Sequence, residues 1–150
     1  MRVVIQRTEA CNVSVDEKIT GSIEKGLLLL VGIESSDTNE DATWLSKKIV
    51  EIRIFSDQAG KMNHNVIEAQ GGILVVSQFT LHAQTKKGNR PSFIRAARPD
   101  KAVPIYNFFI GELERQLNKE VQTGVFGATM KVSLVNDGPV TILMDSKIKE

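Results

Sequence analysis

The sequence contains few of the residues on which disulfides, metal centres and many cofactor sites depend. Cys11 is the one cysteine in 150 residues, which excludes an internal disulfide and a zinc site built from cysteines. The chain has two histidines without a recognisable ligand spacing, so we expect no bound metal. It also lacks the glycine-rich motifs that hold phosphates, and we therefore expect no nucleotide or other cofactor.

A long hydrophobic run is missing as well. The longest one, residues 26–33, is too short to cross a bilayer as a helix. Residues 1–7 alternate apolar and polar side chains as a strand does, and they contain no signal-peptide core. We therefore expect a cytoplasmic protein that does not bind a membrane.

Neither sign of charge is in large excess. The 19 basic and 18 acidic residues give a net charge of +1, and aromatic residues make up only 5% of the chain. Both values argue against a protein that binds nucleic acid over its whole surface. They permit a local contact with one end of an RNA.

The chain does contain a mixed pattern of strands and helices. Its 150 residues fit a single domain, 1–150, with its own core. Alternating apolar residues predict strands at 2–15 (with a bulge near 10–12), 18–24, 27–33 and 73–79, followed by two or three closing strands. Helical spacing predicts helices at about 39–53, after an N-cap at Thr38, and at about 100–118. We predict an α/β domain of about eight strands in mixed, mostly antiparallel, barrel-like sheets, with the two helices packed on the outside.

The predicted strand 73–79 runs into a polar motif, Ser77-Gln78-Phe79-Thr80-Leu81. In an extended strand Ser77 and Phe79 would face one side, and Gln78 and Thr80 the other. Hydroxyls, an amide and free backbone N–H groups at a strand end suit an oxyanion site for ester cleavage. The same residue types also fit a strand that simply continues into a polar loop.

Thr80 is a weak candidate for a nucleophile, because a threonine hydroxyl needs a base nearby. His82 is the one ionisable side chain within a few residues of it. A lone histidine near a strand end is usually a surface residue, and we expect His82 to be one.

A second motif, Asn136-Asp137-Gly138-Pro139-Val140-Thr141, separates two strand-like runs at 130–135 and 140–144. The Gly-Pro pair fits an ordinary turn in which proline fixes φ. It also fits a cis peptide, which is rare even before proline and usually serves a purpose. In a cis pair two successive carbonyls would point in the same direction. Together they would hold an ammonium group or exclude a bulky side chain.

A loop-like segment between the central strand and the second helix is rich in positive charge. Residues 82–101 carry six cations against one acid, Asp100. Clustered cations are typical of phosphate contact, and a solvated, mobile loop has the same composition. The six are Lys86, Lys87, Arg90, Arg95, Arg98 and Lys101. Arg7, on the first strand, either faces solvent or donates to backbone carbonyls.

In this order and spacing, the motifs resemble those of the D-aminoacyl-tRNA deacylases, also called D-tyrosyl-tRNA deacylases, over the whole chain. The matching stretches are residues 1–7, Ser77–Leu81, Lys87–Phe93 and Asn136–Thr141. The resemblance implies a proofreading hydrolase that cleaves the ester between a D-amino acid and the 3′-terminal adenosine of tRNA. It further implies activity on glycine attached to non-cognate tRNA, no cofactor, and a homodimer with its active site at the subunit interface.

The resemblance also implies roles for individual residues. Ser77, Gln78, Phe79 and Thr80 would line the reacting centre, with the Phe79 backbone N–H as oxyanion donor. A cis Gly138-Pro139 pair, held by Arg7 and inserted into the partner's pocket, would exclude L-amino acids with its carbonyls. The amino acid would border Ala102, and the terminal adenosine would contact Phe126 and Met130.

Two chemical routes fit such an enzyme. Either the Thr80 hydroxyl attacks the ester, or water attacks directly with help from the 2′-hydroxyl of the tRNA. We favour the second route because the sequence offers Thr80 no convincing base. A non-catalytic RNA-binding module and a hydrolase of other small esters are the alternatives. Release of free amino acid excludes the first, and a requirement for the terminal adenosine excludes the second.

Overall fold

The computed structural model describes residues 1–149, which form eight strands, two α-helices and one 3₁₀ turn at Phe79–His82. The helices are α1 (Asn39–Glu51) and α2 (Pro99–Leu117). The strands are β1 (Arg2–Val15), β2 (Lys18–Ile23), β3 (Gly26–Gly32), β4 (Phe55–Ser56), β5 (Met62–His64), β6 (Gly72–Ser77), β7 (Gln122–Thr123) and β8 (Lys131–Asp145). The predicted α/β class, with two main helices and a barrel-like mixed sheet, is confirmed.

Strand β1 organises the main sheet, because its 14 residues pair along both edges. On one edge it pairs antiparallel with β3 and then with β2, and on the other edge it pairs antiparallel with β8. Strands β6 and β7 continue from β3 in parallel. The far end comes back against β2, where the Ser22 N–H lies 3.4 Å from Gln122 Oε1. The sheet therefore nearly closes on itself.

The helices cover one face of this sheet, and the opposite face encloses a second apolar cluster. Leu27 and Leu29 belong to the helix-facing core with Phe109 of α2, whereas Leu28 and Leu74 belong to the second cluster. Strands β3 and β6 are thus buried on both faces, which explains why their sequences are continuously apolar. Neither helix within residues 1–149 is both long and apolar enough to cross a membrane.

The central strand ends earlier than the sequence predicts. Strand β6 stops at Ser77, and the chain tightens into the 3₁₀ turn from Phe79. The expected alternation of side chains at Ser77–Thr80 is therefore wrong, because it assumed an extended backbone. Gln78, with φ −143° and ψ 77°, makes the transition between the two conformations.

The two strand-like runs on either side of Gly138-Pro139 are one continuous strand, β8. Gln6 of β1 pairs with Thr141, and Thr8 pairs with Asn136, so the four residues 137–140 stand opposite the single residue Arg7. The Gly-Pro pair therefore lies on an excursion from β8. A bulge is predicted near residues 10–12, and the register of β1 shifts on either side of that stretch, between Thr8 and Ala10 against β8 and between Val13 and Ser14 against β2.

Candidate active site

A cavity of about 500 Å³ opens at the carboxyl ends of the parallel strands β3 and β6. Ligands commonly bind at the carboxyl ends of parallel strands. Apart from the polar end of β6, most of the lining side chains are apolar or small. Six of the ten residues predicted for the site line this cavity, namely Ser77, Gln78, Phe79, Ala102, Phe126 and Met130.

The 3₁₀ turn at Phe79–His82 places the polar motif at the edge of the cavity. The Gln78 N–H donates to the Val31 carbonyl at 2.7 Å, which fixes the start of the turn on β3. Gly32 lets the turn approach β3 closely, since a Cβ there would lie only 3.0 Å from the Gln78 carbonyl oxygen. Phe79 occupies the first position of the turn, where a backbone N–H has no acceptor within its own helix. This N–H suits donation to an oxyanion.

Thr80 belongs to the same turn, but its hydroxyl accepts a hydrogen bond from the side-chain amide of Gln78. No hydrogen bond joins this hydroxyl to a carboxylate or an imidazole in the part of the chain that the structure describes. The prediction of a surface His82 is wrong, because this residue is only 2% exposed and its Nδ1 lies 4.0 Å from Glu34. Thr80 therefore lacks the neighbouring base that a threonine nucleophile needs.

Glu34 fastens one wall of the cavity to the end of β3. Its Oε2 accepts hydrogen bonds from Arg95 at 2.7 Å (Nη2) and 3.2 Å (Nε), and the Ala97 N–H donates to the Ile33 carbonyl at 2.9 Å. Burial alone would raise the pKa of Glu34, but the hydrogen bond and charge of Arg95, helped by His82, lower it below its ordinary value. The charged carboxylate thus holds the segment that contributes Ala97 to the cavity lining.

Helix α2 supplies the facing wall. Ala102 is 4% exposed, and one turn later the Tyr106 hydroxyl donates to the Val75 carbonyl at 3.1 Å. Burial raises the pKa of Tyr106 above its ordinary value, so the phenol remains a neutral donor. Its ring meets Phe126 edge-on, with centroids 5.4 Å apart. The position of Phe126 in the lining therefore depends on α2.

Arg7, Gly138 and Pro139 lie in a second group of residues, outside the lining of that cavity. Arg7 Nε lies 2.9 Å from Asp137 Oδ2 and 3.2 Å from the Asp137 carbonyl oxygen, and the guanidinium also donates to the Ile54 carbonyl. Arg7 is 8% exposed, so it does not face solvent. The side chain holds the residue before Gly138 and makes no hydrogen bond to the Gly138 or Pro139 carbonyl within residues 1–149.

Gln6 and Asn136 frame the same excursion of β8. Gln6 Nε2 donates to Asn136 Oδ1 at 2.8 Å and to the Val140 carbonyl at 3.1 Å, which ties the two ends of the excursion together. A Cβ at Gly138 would lie 2.9 Å from Asn136 Oδ1, so a larger residue would displace the Asn136 side chain from its hydrogen bond with Gln6. The Gly138-Pro139 peptide bond is cis, and both residues are exposed.

A family model described as D-Tyr-tRNA(Tyr) deacylase matches residues 4–145 of the sequence. The chain belongs to the D-aminoacyl-tRNA deacylase family. Proteins named D-aminoacyl-tRNA deacylase from Flavobacterium psychrophilum and Parabacteroides distasonis are each 59% identical to it over 150 residues, with all of both chains covered. As a member of this family the chain is a hydrolase.

Two solved structures share the fold of this deacylase family member. One, titled c-Myc DNA Unwinding Element Binding Protein, has a TM-score of 0.91 and 37% identity over 97% of this chain and 98% of that one. The other is titled as a probable eukaryotic D-amino acid tRNA deacylase, with a TM-score of 0.85 over 95% of this chain and 97% of that one. Its identity of 16% shows a common fold only.

Several residues of this candidate site are not evident from the sequence. Glu34 and Arg95 are 61 positions apart, and no local pattern connects them. Arg95 is among the cations expected to contact phosphate, although it pairs with Glu34. Lys101 is also engaged, because its Nζ donates to the Ser35 carbonyl. Gln6 lies inside a matching motif, but its bonds across to β8 require the strand register.

Proposed function

We propose that this deacylase cleaves the ester between a D-amino acid and the 3′-terminal adenosine of tRNA, and releases the free amino acid. The cavity carries the proposal, because it combines a polar strand end with an apolar chamber of about 500 Å³. That volume lies within the usual range for small-molecule sites. The full-length relatives named D-aminoacyl-tRNA deacylase support the same reaction.

Water is the proposed nucleophile. It adds to the ester carbonyl carbon while the tRNA's own 2′-hydroxyl assists the proton transfer. The bond between that carbon and the ribose 3′-oxygen then breaks, and the 3′-oxygen leaves with a proton. The Phe79 N–H stabilises the negative charge that develops on the carbonyl oxygen. Ser77 and Gln78 position the ester in the cavity lining. This route requires no base beside Thr80.

Chirality is read, in this proposal, by the carbonyls of Gly138 and Pro139 inserted from a partner subunit. Backbone carbonyls touch the amino group and the α-carbon, which all amino acids share, so several D-amino acids would be accepted. Glycine has no side chain to exclude, and glycine on non-cognate tRNA would be a substrate as well. Support comes from the exposed position of the pair outside the cavity of its own chain, with Arg7 holding the preceding residue.

The homodimer of this proposal is supported by strand β8. This strand pairs only with β1 among the described residues, and it exposes apolar side chains that include Leu134 (41%), Val135 (52%) and Leu143 (65%). A long apolar edge strand is normally covered in a stable protein. A second copy of the chain would cover it and would bring the Gly138-Pro139 pair to a neighbouring cavity.

The decisive measurement is the release of free amino acid from D-tyrosyl-tRNA and L-tyrosyl-tRNA by the purified protein. We expect rapid release from the D form and near-complete rejection of the L form. Tight tRNA binding without release from either form would instead indicate a non-catalytic RNA-binding module. Equal activity on a simple D-amino acid ester would indicate a hydrolase that does not require the adenosine.

The role of the excursion is tested by Gly138→Ala. The added Cβ would meet Asn136 Oδ1 at 2.9 Å, displace the Asn136 side chain from its bond with Gln6, and so loosen the tie between the two ends of the excursion. Activity on D-aminoacyl-tRNA and the D-over-L preference should therefore both fall. The matched control is Gly111→Ala, because a Cβ at that helical position would meet no atom within 4 Å beyond the neighbouring backbone of its own helix. Unchanged activity and preference in Gly138→Ala would contradict chiral recognition by this pair.

A further inference from the structure

Two aromatic rings at the mouth of the cavity are exposed and touch each other. Phe79 is 56% exposed and Phe93 is 37% exposed, with ring centroids 5.2 Å apart at an interplanar angle of 78°. An edge-to-face pair of this kind is normally found in a core. Here a large part of each ring surface remains open, and Ile94 beside Phe93 is 82% exposed.

The backbone holds both rings in place. Phe79 belongs to the 3₁₀ turn that Gln78 anchors on β3. Phe93 follows a two-bond ladder in which the N–H and carbonyl of Ser92 pair with Gln84 at 3.0 and 2.8 Å, and its own carbonyl accepts the Ala96 N–H at 3.0 Å. The pair is therefore pre-positioned, which reduces the entropy lost when a ligand binds.

The ladder also closes the loop 85–91, which carries three cations and ends two residues before Phe93. Lys86, Lys87 and Arg90 are exposed, and within residues 1–149 none of them has a carboxylate within 4.0 Å, whereas Arg95 and Arg98 each have one. Exposed aromatic faces next to cations are the combination by which proteins bind single-stranded nucleic acid. In such proteins the cations contact phosphates, and each aromatic ring stacks on a base.

We propose that Phe79 and Phe93 form a stacking subsite for the unpaired nucleotides that precede the terminal adenosine of the tRNA 3′ end. Phe79 also lines the cavity, so the subsite is continuous with the chamber proposed for the aminoacylated adenosine. This inference rests on the proposed function for the identity of the RNA. The subsite lies outside the chamber and would bind bases that the reacting centre itself does not contact.

The test compares two substrates with the variant Phe93→Ala. A D-aminoacyl-tRNA carries the preceding nucleotides, whereas a D-aminoacyl-adenosine does not. We expect Phe93→Ala to lower kcat/KM for the tRNA roughly tenfold, within the range of one lost base–aromatic stack. Its kcat/KM for the adenosine ester should stay within about twofold of wild type, since no stack is lost there. Phe93→Tyr keeps a flat ring and should retain the wild-type kcat/KM for the tRNA.

Three controls separate base stacking by Phe93 from a purely structural role of its ring. Phe93→Leu keeps an apolar side chain without a flat ring, so it should show the same selective loss even if Phe93→Ala folds poorly. Phe108→Ala removes a comparably exposed ring (36%) that does not line the cavity, so it should leave kcat/KM unchanged for both substrates. An equal loss on both substrates, or a change of oligomeric state in Phe93→Ala, would assign Phe93 to structure or to a contact between subunits and would overturn the subsite.

Failure of the proposed function is distinguishable from failure of the subsite. If the wild-type protein hydrolysed neither substrate, the proposed function would be wrong, and the subsite would be tested by RNA binding alone. A single-stranded oligonucleotide that ends in CCA and carries no amino acid should then bind to the wild-type protein more tightly than to Phe93→Ala. Equal affinities for that oligonucleotide would overturn the subsite independently.

Discussion

At the scale of single residues, the Thr80 hydroxyl accepts a hydrogen bond from Gln78 and has no base beside it. We therefore expect Thr80→Ala to keep its single-turnover rate within about tenfold of wild type, a change of roughly 1.4 kcal/mol in barrier height. The paired measurement uses tRNA ending in 2′-deoxyadenosine, which should be a very poor substrate for both proteins. A rate at the uncatalysed level in Thr80→Ala, with folding and tRNA binding intact, would identify Thr80 as the nucleophile.

The ion pair between Glu34 and Arg95 links stability to pH. The pKa of Glu34 is lowered from 4.5, and a carboxyl with a depressed pKa stabilises the fold above its unfolded pKa and loses that contribution as the pH falls through its folded pKa. Arg95→Gln removes the main partner of Glu34. It should lower the free energy of unfolding, measured in urea at pH 7, by about 1 kcal/mol, given that the Arg95 side chain is 49% exposed. The cost should shrink below pH 4.5.

The matched control for that measurement is Arg98→Gln, because the Arg98 guanidinium lies 4.0 Å from Asp100 and is 90% exposed. Its urea midpoint should match the wild type at every pH. A loss in Arg95→Gln that is the same at pH 7 and at acid pH would mean that the guanidinium stabilises the fold through packing and not through the charge of Glu34.

At the scale of elements, the loop 85–91 is expected to supply affinity without chemistry. Replacing Lys86, Lys87 and Arg90 together with glutamine should raise KM for D-aminoacyl-tRNA and leave kcat nearly unchanged. Each lost phosphate contact should reduce the slope of log K against log salt by roughly 0.7 to 0.9. The control replaces Lys47, Lys48 and Lys61, which are exposed elsewhere on the chain. An unchanged KM across several salt concentrations would show that the loop is solvated and makes no contact.

The elements differ in how far their sequences predict them. Helix α1 begins directly after Thr38, as predicted, because the Asp41 carboxylate accepts the Thr38 N–H at 2.9 Å, a local interaction that the sequence displays. Sequence patterns divide strand β8 in two because a Gly-Pro pair usually ends a strand. Its continuity depends on 15 residues pairing with β1, which is distant in sequence.

The candidate site shows the same division between local and long-range information. The end of β6 at Ser77–Phe79 is visible in the sequence as a polar motif after an apolar run, and the structure places it in the cavity lining. The wall held by Glu34 and Arg95 is not visible there, since it depends on a contact across 61 positions. Residue type alone cannot separate a cation that pairs within the fold from one that is free to meet phosphate.

At the scale of the whole molecule, nine of the ten residues predicted for the site fall into two groups, and Thr80 lies in the 3₁₀ turn next to the first group. Six of them line the cavity, whereas Gly138 and Pro139 lie exposed on the excursion from β8, which Arg7 braces. A single chain therefore presents a chamber and an excursion that do not meet in its own cavity lining. In a dimer with two-fold symmetry, each chain would offer its excursion to the cavity of the other.

Subunit complementation tests this arrangement directly. One variant, Gly138→Ala, disturbs the excursion through the Asn136 side chain but keeps the cavity, and the other, Ala102→Trp, fills the cavity but keeps the excursion. Each homodimer should be nearly inactive. After unfolding and refolding of an equal mixture, about half of the dimers should be hybrids with one intact site of two, which predicts about a quarter of wild-type activity.

Circular dichroism and gel filtration of each variant establish that it folds and dimerises before mixing. Recovery requires that the cavity of one chain be completed by the excursion of the other. If both groups acted within a single chain, the Gly138→Ala subunit would keep a defective excursion and the Ala102→Trp subunit a blocked cavity in every combination. Activity in the refolded mixture no higher than the mean of the two homodimers would therefore exclude the cross-subunit site, while leaving hydrolysis by the wild-type protein unaffected.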